Sequence, residues 1–438
     1  MSAGATPPDA GDTRRAGFWQ SLLPFLAWMP MWRERGTVRA DLLAGLTGAV
    51  VVLPQGLAFA TLAGMPPQYG LYAAMVPCLV AALFGSSRLM VTGPANAISL
   101  TTMALIAPLA LPGSPEYVSL VITLAFLVGA VQILLGLARA GRLVDLVPHS
   151  VIVGFTSGAA VLIMASQLGP LFGVDLPRGL SVGSSLVMLA GRLTETHWHA
   201  LLSGLATVAA IRLWMPLNRI LPAMLVGVVA GSLVAWVLQT LAPGAGPLKS
   251  VPELPGALPA PSMPDLSIDT VRSLFAATLV MTLLGLTEAV AIARAIAARG
   301  REQLDGSREF IGQGLANIAG SFFSAYPTSG SFNRSGVNVT SGARTPLAAA
   351  SAAIFLVVLL LFVSPLARFL PFAVIAGLLY VVAWGLIDRA EIARIWREEP
   401  LERAPLVVTA IATVTLSLEW AILLGLLTAL LAKRLLRR

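Results

Sequence analysis

Residues Tyr326 to Pro346 are polar and glycine-rich, yet they lie between segments apolar enough to sit in a bilayer. Irregular backbone at membrane depth is tolerated only where protein buries it or water reaches it, because lipid offers nothing to its N–H and C=O groups. The stretch is therefore expected to line a cavity. A helix from Ser331 to Gly342 has roughly half of the ~20 residues needed to cross the hydrocarbon, so it would begin near the midplane. Its first turn carries Phe332, Asn333 and Arg334. Helix starts present unpaired N–H donors with about half a positive charge. With a guanidinium added, the place suits an anion. Read alone, the same residues also fit a cytoplasmic loop whose arginines obey the positive-inside rule.

The rest of the chain weighs against the loop. Of 438 residues, 57% are hydrophobic and only 11% charged, with a mean hydropathy of +0.83. Soluble proteins carry about 25% charged residues, so this is a polytopic membrane protein. The net charge of +8 comes from arginines in short clusters between apolar segments, as topology signals do, and no nucleic-acid partner is expected. A lone Cys78 in an apolar run excludes disulfides and reads as a buried structural thiol. His149, His197 and His199 come with no cysteine or carboxylate in zinc-ligand spacing, so no metal site is expected. The chain has no P-loop, no Gly-x-Ser-x-Gly and no helix with paired histidines, hence no catalytic residues, no cofactor and no enzyme. Gly312-Gln-Gly-Leu-Ala-Asn-Ile-Ala-Gly320 follows no strand and lacks the dinucleotide-binding spacing; close helix packing explains it better.

The hydropathy pattern predicts an all-α fold of fourteen membrane segments, near 38–62, 68–84, 94–110, 117–138, 146–170, 197–215, 219–241, 270–298, 308–324, 331–342, 345–363, 366–387, 404–417 and 419–436. The third and tenth are short or broken. Residues 1–17 read as a disordered cytoplasmic tail and 18–36 as an interfacial amphipathic helix with aromatic anchors. With the N-terminus inside, inside connections hold Arg88, Arg139, Arg142, Arg212, Arg219, Arg299, Arg301, Arg308, Arg344, Arg389, Arg394, Arg397, Arg403 and the terminal Lys433 to Arg438 cluster. Outside connections hold only Arg178, Arg192, Lys249 and Arg368. That bias predicts both termini in the cytoplasm and the chain in the inner (plasma) membrane.

The halves echo one another. Leu146-Val-Pro-His-Ser-Val-Ile-Val-Gly154 matches Phe369-Leu-Pro-Phe-Ala-Val-Ile-Ala-Gly377 in a Pro-x-x-Val-Ile-x-Gly core, as an internal repeat predicts. The third segment, opening at Gly93-Pro94, then corresponds to the tenth, opening at Gly330-Ser331. An odd number of segments per repeat inverts the second relative to the first, so both half-helix starts would meet near the midplane. An arginine at that depth costs at least about 2.5–3.5 kcal/mol, so Arg334 needs a local partner or a use.

Several side chains suit a partly dehydrated anion. Gln55 lies one turn from Phe59 in the first segment, where an amide and a ring could shape a pocket; helix packing is the alternative. Asn96, Ser99, Thr101 and Thr102 line the start of the third segment, as ligands or as helix caps and back-bonds. Glu288 is read as the only carboxylate within a strongly apolar segment. Burial disfavours its charge, a nearby anion pushes the same way and Arg334 pulls against both, which makes it a candidate proton carrier; a fixed ion pair with Arg294 or Arg334 is the alternative. Asn317, Asn338 and Thr340 read as interior groups that hold backbone.

Asp41-Leu-Leu-Ala-Gly-Leu-Thr, Pro54-Gln-Gly-Leu-Ala-Phe-Ala, Gly64-Met-Pro-Pro-Gln-Tyr-Gly-Leu-Tyr72, Phe84-Gly-Ser-Ser-Arg, Thr92-Gly-Pro94, Ile311-Gly-Gln-Gly-Leu-Ala-Asn-Ile and Ser341-Gly-Ala-Arg-Thr-Pro346 resemble the sulfate-permease (SulP) family of anion transporters, in family order. The resemblance implies two inverted seven-segment repeats divided between a core domain (37–138 and 269–363) and a gate domain (139–241 and 364–438), with 242–268 an outside loop. It implies homodimers that move sulfate, bicarbonate, chloride or dicarboxylates. Gln55, Phe59, Asn333 and Arg334 fall on the family's site positions and Glu288 on its eighth-segment carboxylate. Two departures stand out: many members have serine or threonine where Asn333 stands, and family members usually continue into a STAS domain, whereas this chain stops at Arg438, either truncated or as a natural minimal form.

The function expected is proton-coupled uptake of a small inorganic anion, sulfate first, by alternating access. Moving one charge against 100 mV costs about 2.3 kcal/mol and a dianion twice that, which about two co-transported protons would cancel. Sodium- or proton-coupled bicarbonate or dicarboxylate transport and an anion channel are the alternatives.

Overall fold

A computed structural model of the chain describes residues 24–141, 148–177, 180–217, 223–251, 258–300, 304–363, 368–416 and 418–435. The expected tail at 1–17 and the last arginines of the terminal cluster lie outside them.

The N-terminal half contains α1 (Thr37–Leu62), α2 (Gln68–Tyr72), α3 (Val76–Phe84), β1 (Thr92–Gly93), α4 (Asn96–Ile106), α5 (Pro115–Leu137), α6 (His149–Ser166), α7 (Leu168–Phe172), α8 (Val182–Gly191), α9 (Trp198–Leu217) and α10 (Ala223–Leu241). The C-terminal half contains α11 (Ile268–Gly300), α12 (Gly306–Ser321), β2 (Ser329–Gly330), α13 (Phe332–Thr340), α14 (Leu347–Val363), α15 (Phe372–Leu386), α16 (Arg389–Glu398), α17 (Arg403–Thr415) and α18 (Leu418–Leu435). Among the described residues, seven helices are long and apolar enough to cross a membrane, and several of the others are shorter apolar helices.

Local chemistry sets the element ends. Pro115 opens α5 behind Ser114, whose hydroxyl accepts from the Tyr117 N–H at 3.1 Å. Asp305 caps α12, accepting from the N–H groups of Ser307 and Arg308. Both α6 and α15 start directly after a proline with extended ψ of 145°, Pro148 and Pro371, at the matching positions of the sequence echo.

Three expectations need correction. The fold is not purely helical: Thr92 pairs with Gly330 and Gly93 with Ser329 in a two-stranded antiparallel sheet. Four residues of polar backbone buried among helices must satisfy one another, and runs this short leave no periodicity to read. Within 18–36, the described part forms two 3-10 turns, Pro24–Ala27 and Met29–Arg33, in place of one amphipathic helix, because Pro24 and Pro30 lack the N–H a continuous helix needs. Trp32 Nε1 donates to Thr345 Oγ1 at 3.0 Å and Arg88 stacks over Trp28, tying these turns to the protein body. The structure also adds α8 and α16, which the hydropathy pattern left as connections.

The helices form two packed groups. In one, α12 packs on α5 and α3, and α14 packs on α1 and α3. In the other, α6 packs on α17 and α15 on α9. Glycines permit these crossings: a Cβ on Gly154 would lie 2.4 Å from the Leu406 carbonyl, and one on Gly377 would lie 2.4 Å from that of Gly204. In Gly312-Gln-Gly314 the expectation of close packing holds, since a Cβ on Gly312 would lie 2.6 Å from Gly85 Cα and one on Gly314 2.7 Å from the Gly129 carbonyl. Between the groups, Val52, Phe59 and Leu62 of α1 share one buried cluster with Ala159 and Ile163 of α6 and Val374 and Leu378 of α15.

Candidate functional site

The sheet places two helix starts side by side. β1 leads through Pro94 and Ala95 into α4, and β2 leads through Ser331 into α13. Ala95 and Ser331 are both extended, and neither helix has a side-chain cap. The first intrahelical bonds are donated by Ser99 and Ser335, to the carbonyls of Ala95 and Ser331. The N–H groups of the turns before them face outward from the helix starts.

A cavity of about 80 Å³ opens between these starts, several times the ~10–15 Å³ that one water requires. Phe59, Asn96, Glu288, Ser331, Phe332 and Asn333 line it from the first helix group, and Phe155 and Thr156 of α6 from the second. Its wall is mainly hydrocarbon, with a few polar groups that converge. Asn96 Oδ1 and Glu288 Oε2 are shielded and have no hydrogen-bond partner. Among the described residues Glu288 has no ion pair; the side chain of Arg294, a candidate partner from sequence, lies outside them.

Five of the seven predicted site residues thus meet: Phe59, Asn96, Glu288, Phe332 and Asn333. Gln55 and Arg334 do not line the cavity. Gln55 Nε2 points at Met224 Sδ of α10, 2.7 Å away. Arg334 turns away and is 3% exposed; its Nη1 donates to the Thr92 carbonyl at 3.0 Å and its Nη2 to Cys78 Sγ at 3.6 Å. Gly93 leaves room for this, since a Cβ there would sit 2.0 Å from Nη1. Cys78 is buried, as expected of a structural thiol.

Behind the cavity runs a polar network that sequence reasoning saw only in part. Glu309, 1% exposed, accepts from the Ser86 and Ser87 N–H groups and from Gln313 Nε2, which also donates to Thr92 Oγ1. Asp41, fully buried, accepts from the N–H groups of Arg344 and Thr345. Glu288 is therefore not the lone buried carboxylate; Asp41 and Glu309 lie near the starts of the predicted segments 38–62 and 308–324 and are buried as well. Asn317 and Asn338 hold backbone as expected, at Thr328 and Leu89. Thr340 instead back-bonds to Gly336 from an exposed position. Ser99 meets the Tyr326 hydroxyl, and Thr102 back-bonds to Ile98.

A model of the sulfate permease family matches residues 38–411. Chloroplastic sulfate transporter 4.1 of Arabidopsis thaliana is 32% identical over 413 residues, 92% of this chain and 59% of that protein. A probable sulfate transporter of Mycobacterium tuberculosis is 32% identical over 417 residues, 94% of this chain and 72% of its own. The chain thus spans about three fifths of the plant relative's length. Among solved structures, the transmembrane domain of the cyanobacterial bicarbonate transporter BicA superposes with a TM-score of 0.78 at 26% identity, covering 90% of this chain and 97% of that one. The murine Solute Carrier 26 family member A9 anion transporter has the same fold, with a TM-score of 0.86 at 22% identity over 99% of this chain and 73% of its own.

Proposed function

The chain belongs to the sulfate permease family, and on that premise we propose that it is a secondary active transporter of small inorganic anions, with sulfate the first candidate substrate. The observation that carries this reading is the cavity between the uncapped starts of α4 and α13. Two helix N-termini contribute roughly one positive charge there. Among the described residues no arginine or lysine lines the cavity, so backbone N–H groups and the Asn96 and Asn333 amides do the recognising. Phe59, Phe155 and Phe332 supply an apolar wall that strips water from the anion.

Glu288 gives that cavity its coupling. A carboxylate beside an anion repels it, and a carboxylic acid does not. Anion entry therefore favours the protonated form, and a proton travels with the substrate. For a divalent anion this offsets part of the electrical cost of uptake, about 2.3 kcal/mol per charge at 100 mV.

Movement follows from the two helix groups. The cavity is walled by α1, α4, α11 and α13 on one side and α6 on the other, so sliding the groups past each other exposes it to alternate faces of the membrane. The fourteen segments fall into two inverted sevens, and the packing supports this reading. Shifting every segment by seven turns the α12–α5 contact into α3–α14, the α14–α1 contact into α5–α11, and the α6–α17 contact into α15–α9, and all of these occur. The basic residues put both termini in the cytoplasm of a cell whose inner membrane holds the protein, and homodimers suit the family.

Uptake of labelled sulfate into proteoliposomes tests the proposal. An inward proton gradient should raise the initial rate several-fold; the absence of saturable sulfate flux under any gradient refutes it. Bicarbonate is the second substrate candidate, on the strength of the cyanobacterial likeness, and competition for sulfate uptake measures its standing. Replacing sodium in the same assay separates sodium from proton coupling.

A further inference from the structure

At the other end of the second helix group, three imidazole nitrogens are buried and have no hydrogen-bond partner: Nδ1 and Nε2 of His197 and Nδ1 of His199. Buried polar atoms are nearly always satisfied, and each exception calls for a water, an ion or a functional reason. Here the exceptions occur in two adjacent rings, whose centroids stand 5.5 Å apart at 70°. We propose that His197 and His199 bind one divalent transition-metal ion of zinc type between them.

The geometry fits such an ion. Zinc sits ~2.0–2.1 Å from an imidazole nitrogen, hence roughly 3.2 Å from the ring centroid. A tetrahedral angle at the metal then separates two centroids by about 5.2 Å, close to the 5.5 Å observed. Hydroxyl, thiol and carboxylate chemistry is not required, because neutral imidazole is itself a first-row metal ligand. No third His, Cys, Asp or Glu joins the pair among the described residues, so water completes the coordination and the affinity is that of a two-ligand site. That missing ligand is also why the sequence spacing alone predicts no metal here. Thr194, Glu195 and Trp198, next to the pair in sequence, are exposed.

The backbone holds the two rings in place. The His197 N–H donates to the Phe172 carbonyl at 2.9 Å, and Gly173, at φ +69°, gives His197 the space that a Cβ would take, 2.6 Å from its own Cβ. His199 lies in the first turn of α9, anchored where the Ser203 hydroxyl donates to its carbonyl. An ion on both rings would brace the start of α9, which the His197 N–H already ties to the Phe172 carbonyl at the end of α7, and this site stands independently of what the cavity carries.

Titration calorimetry of the full chain in detergent, purified without a polyhistidine tag, with zinc chloride as the probe, tests the site. The expected result is one ion per chain, with affinity weakened by at least about tenfold in both His197→Gln and His199→Gln. No binding at micromolar zinc, or binding equal in wild type and both variants, overturns it. Should the variants fail to fold, cobalt(II) added to the wild type decides: visible bands of tetrahedral nitrogen-ligated cobalt support the pair, and a purely aqueous octahedral spectrum overturns it.

Discussion

Arg334 donates from Nη1 to the carbonyl of Thr92, 3.0 Å away, so the guanidinium expected to face an anion grips the strand behind it. The contact joins the helix that starts at Phe332 to the strand that leads into the other half-helix. Arg334 thereby holds the two N-termini at one depth, and among the described residues no carboxylate neutralises it. Its charge still favours an anion nearby, acting through low-dielectric protein without contact.

Removing that side chain should cost both stability and transport. Arg334→Ala leaves the buried Thr92 carbonyl without its side-chain donor and opens a cavity against Cys78, a loss of about 2–4 kcal/mol. Arg334→Lys, which keeps the charge and one donor, should lose less stability and retain measurable flux. Thermal unfolding and sulfate uptake on the same preparations separate the two effects; equal loss of flux in the lysine variant at unchanged stability would point to direct contact with the anion.

Glu288 lines the cavity with an unpartnered oxygen, so Glu288→Gln mimics its protonated form permanently. Anion binding should survive. The rise of flux on external acidification, present in wild type, should flatten in the variant. A variant whose flux still climbs with the inward proton gradient removes Glu288 from the coupling role.

Gly154 and Gly377 close the two matching Pro-x-x-Val-Ile-x-Gly stretches of the sequence, and each faces a carbonyl that a Cβ would meet at 2.4 Å. Alanine at either position should force its helix pair apart, costing about 1–3 kcal/mol. The two variants should be similar in size of effect, because each added Cβ would meet a backbone carbonyl at the same 2.4 Å. Thermal unfolding in detergent reads both; a silent Gly377→Ala beside a crippled Gly154→Ala would break the equivalence.

Much of this architecture is legible in the sequence because the bilayer permits so few backbone solutions. The polar interruption at Tyr326 to Pro346 pointed to the short helix that starts at Phe332. What stayed hidden was direction. A residue's position on a helix does not say which way a long side chain turns, so Arg334 and Gln55 were placed near the cavity although both point out of it. Asp41 and Glu309 were missed as buried groups because each is satisfied by backbone N–H donors from loops distant in sequence, a pairing that no local pattern announces. The paired strands escaped notice for the same reason, being two residues long.

The most direct test of the central claim is to locate the anion. Selenate has the shape and charge of sulfate and scatters anomalously, so a crystal of the protein grown with it shows the site without inference from rates. The account predicts one anomalous peak in the cavity, within hydrogen-bond reach of the N–H groups that open α4 and α13 and beside Asn96 and Asn333. A peak against the Arg334 guanidinium, or only at the protein surface with the cavity empty, would contradict it.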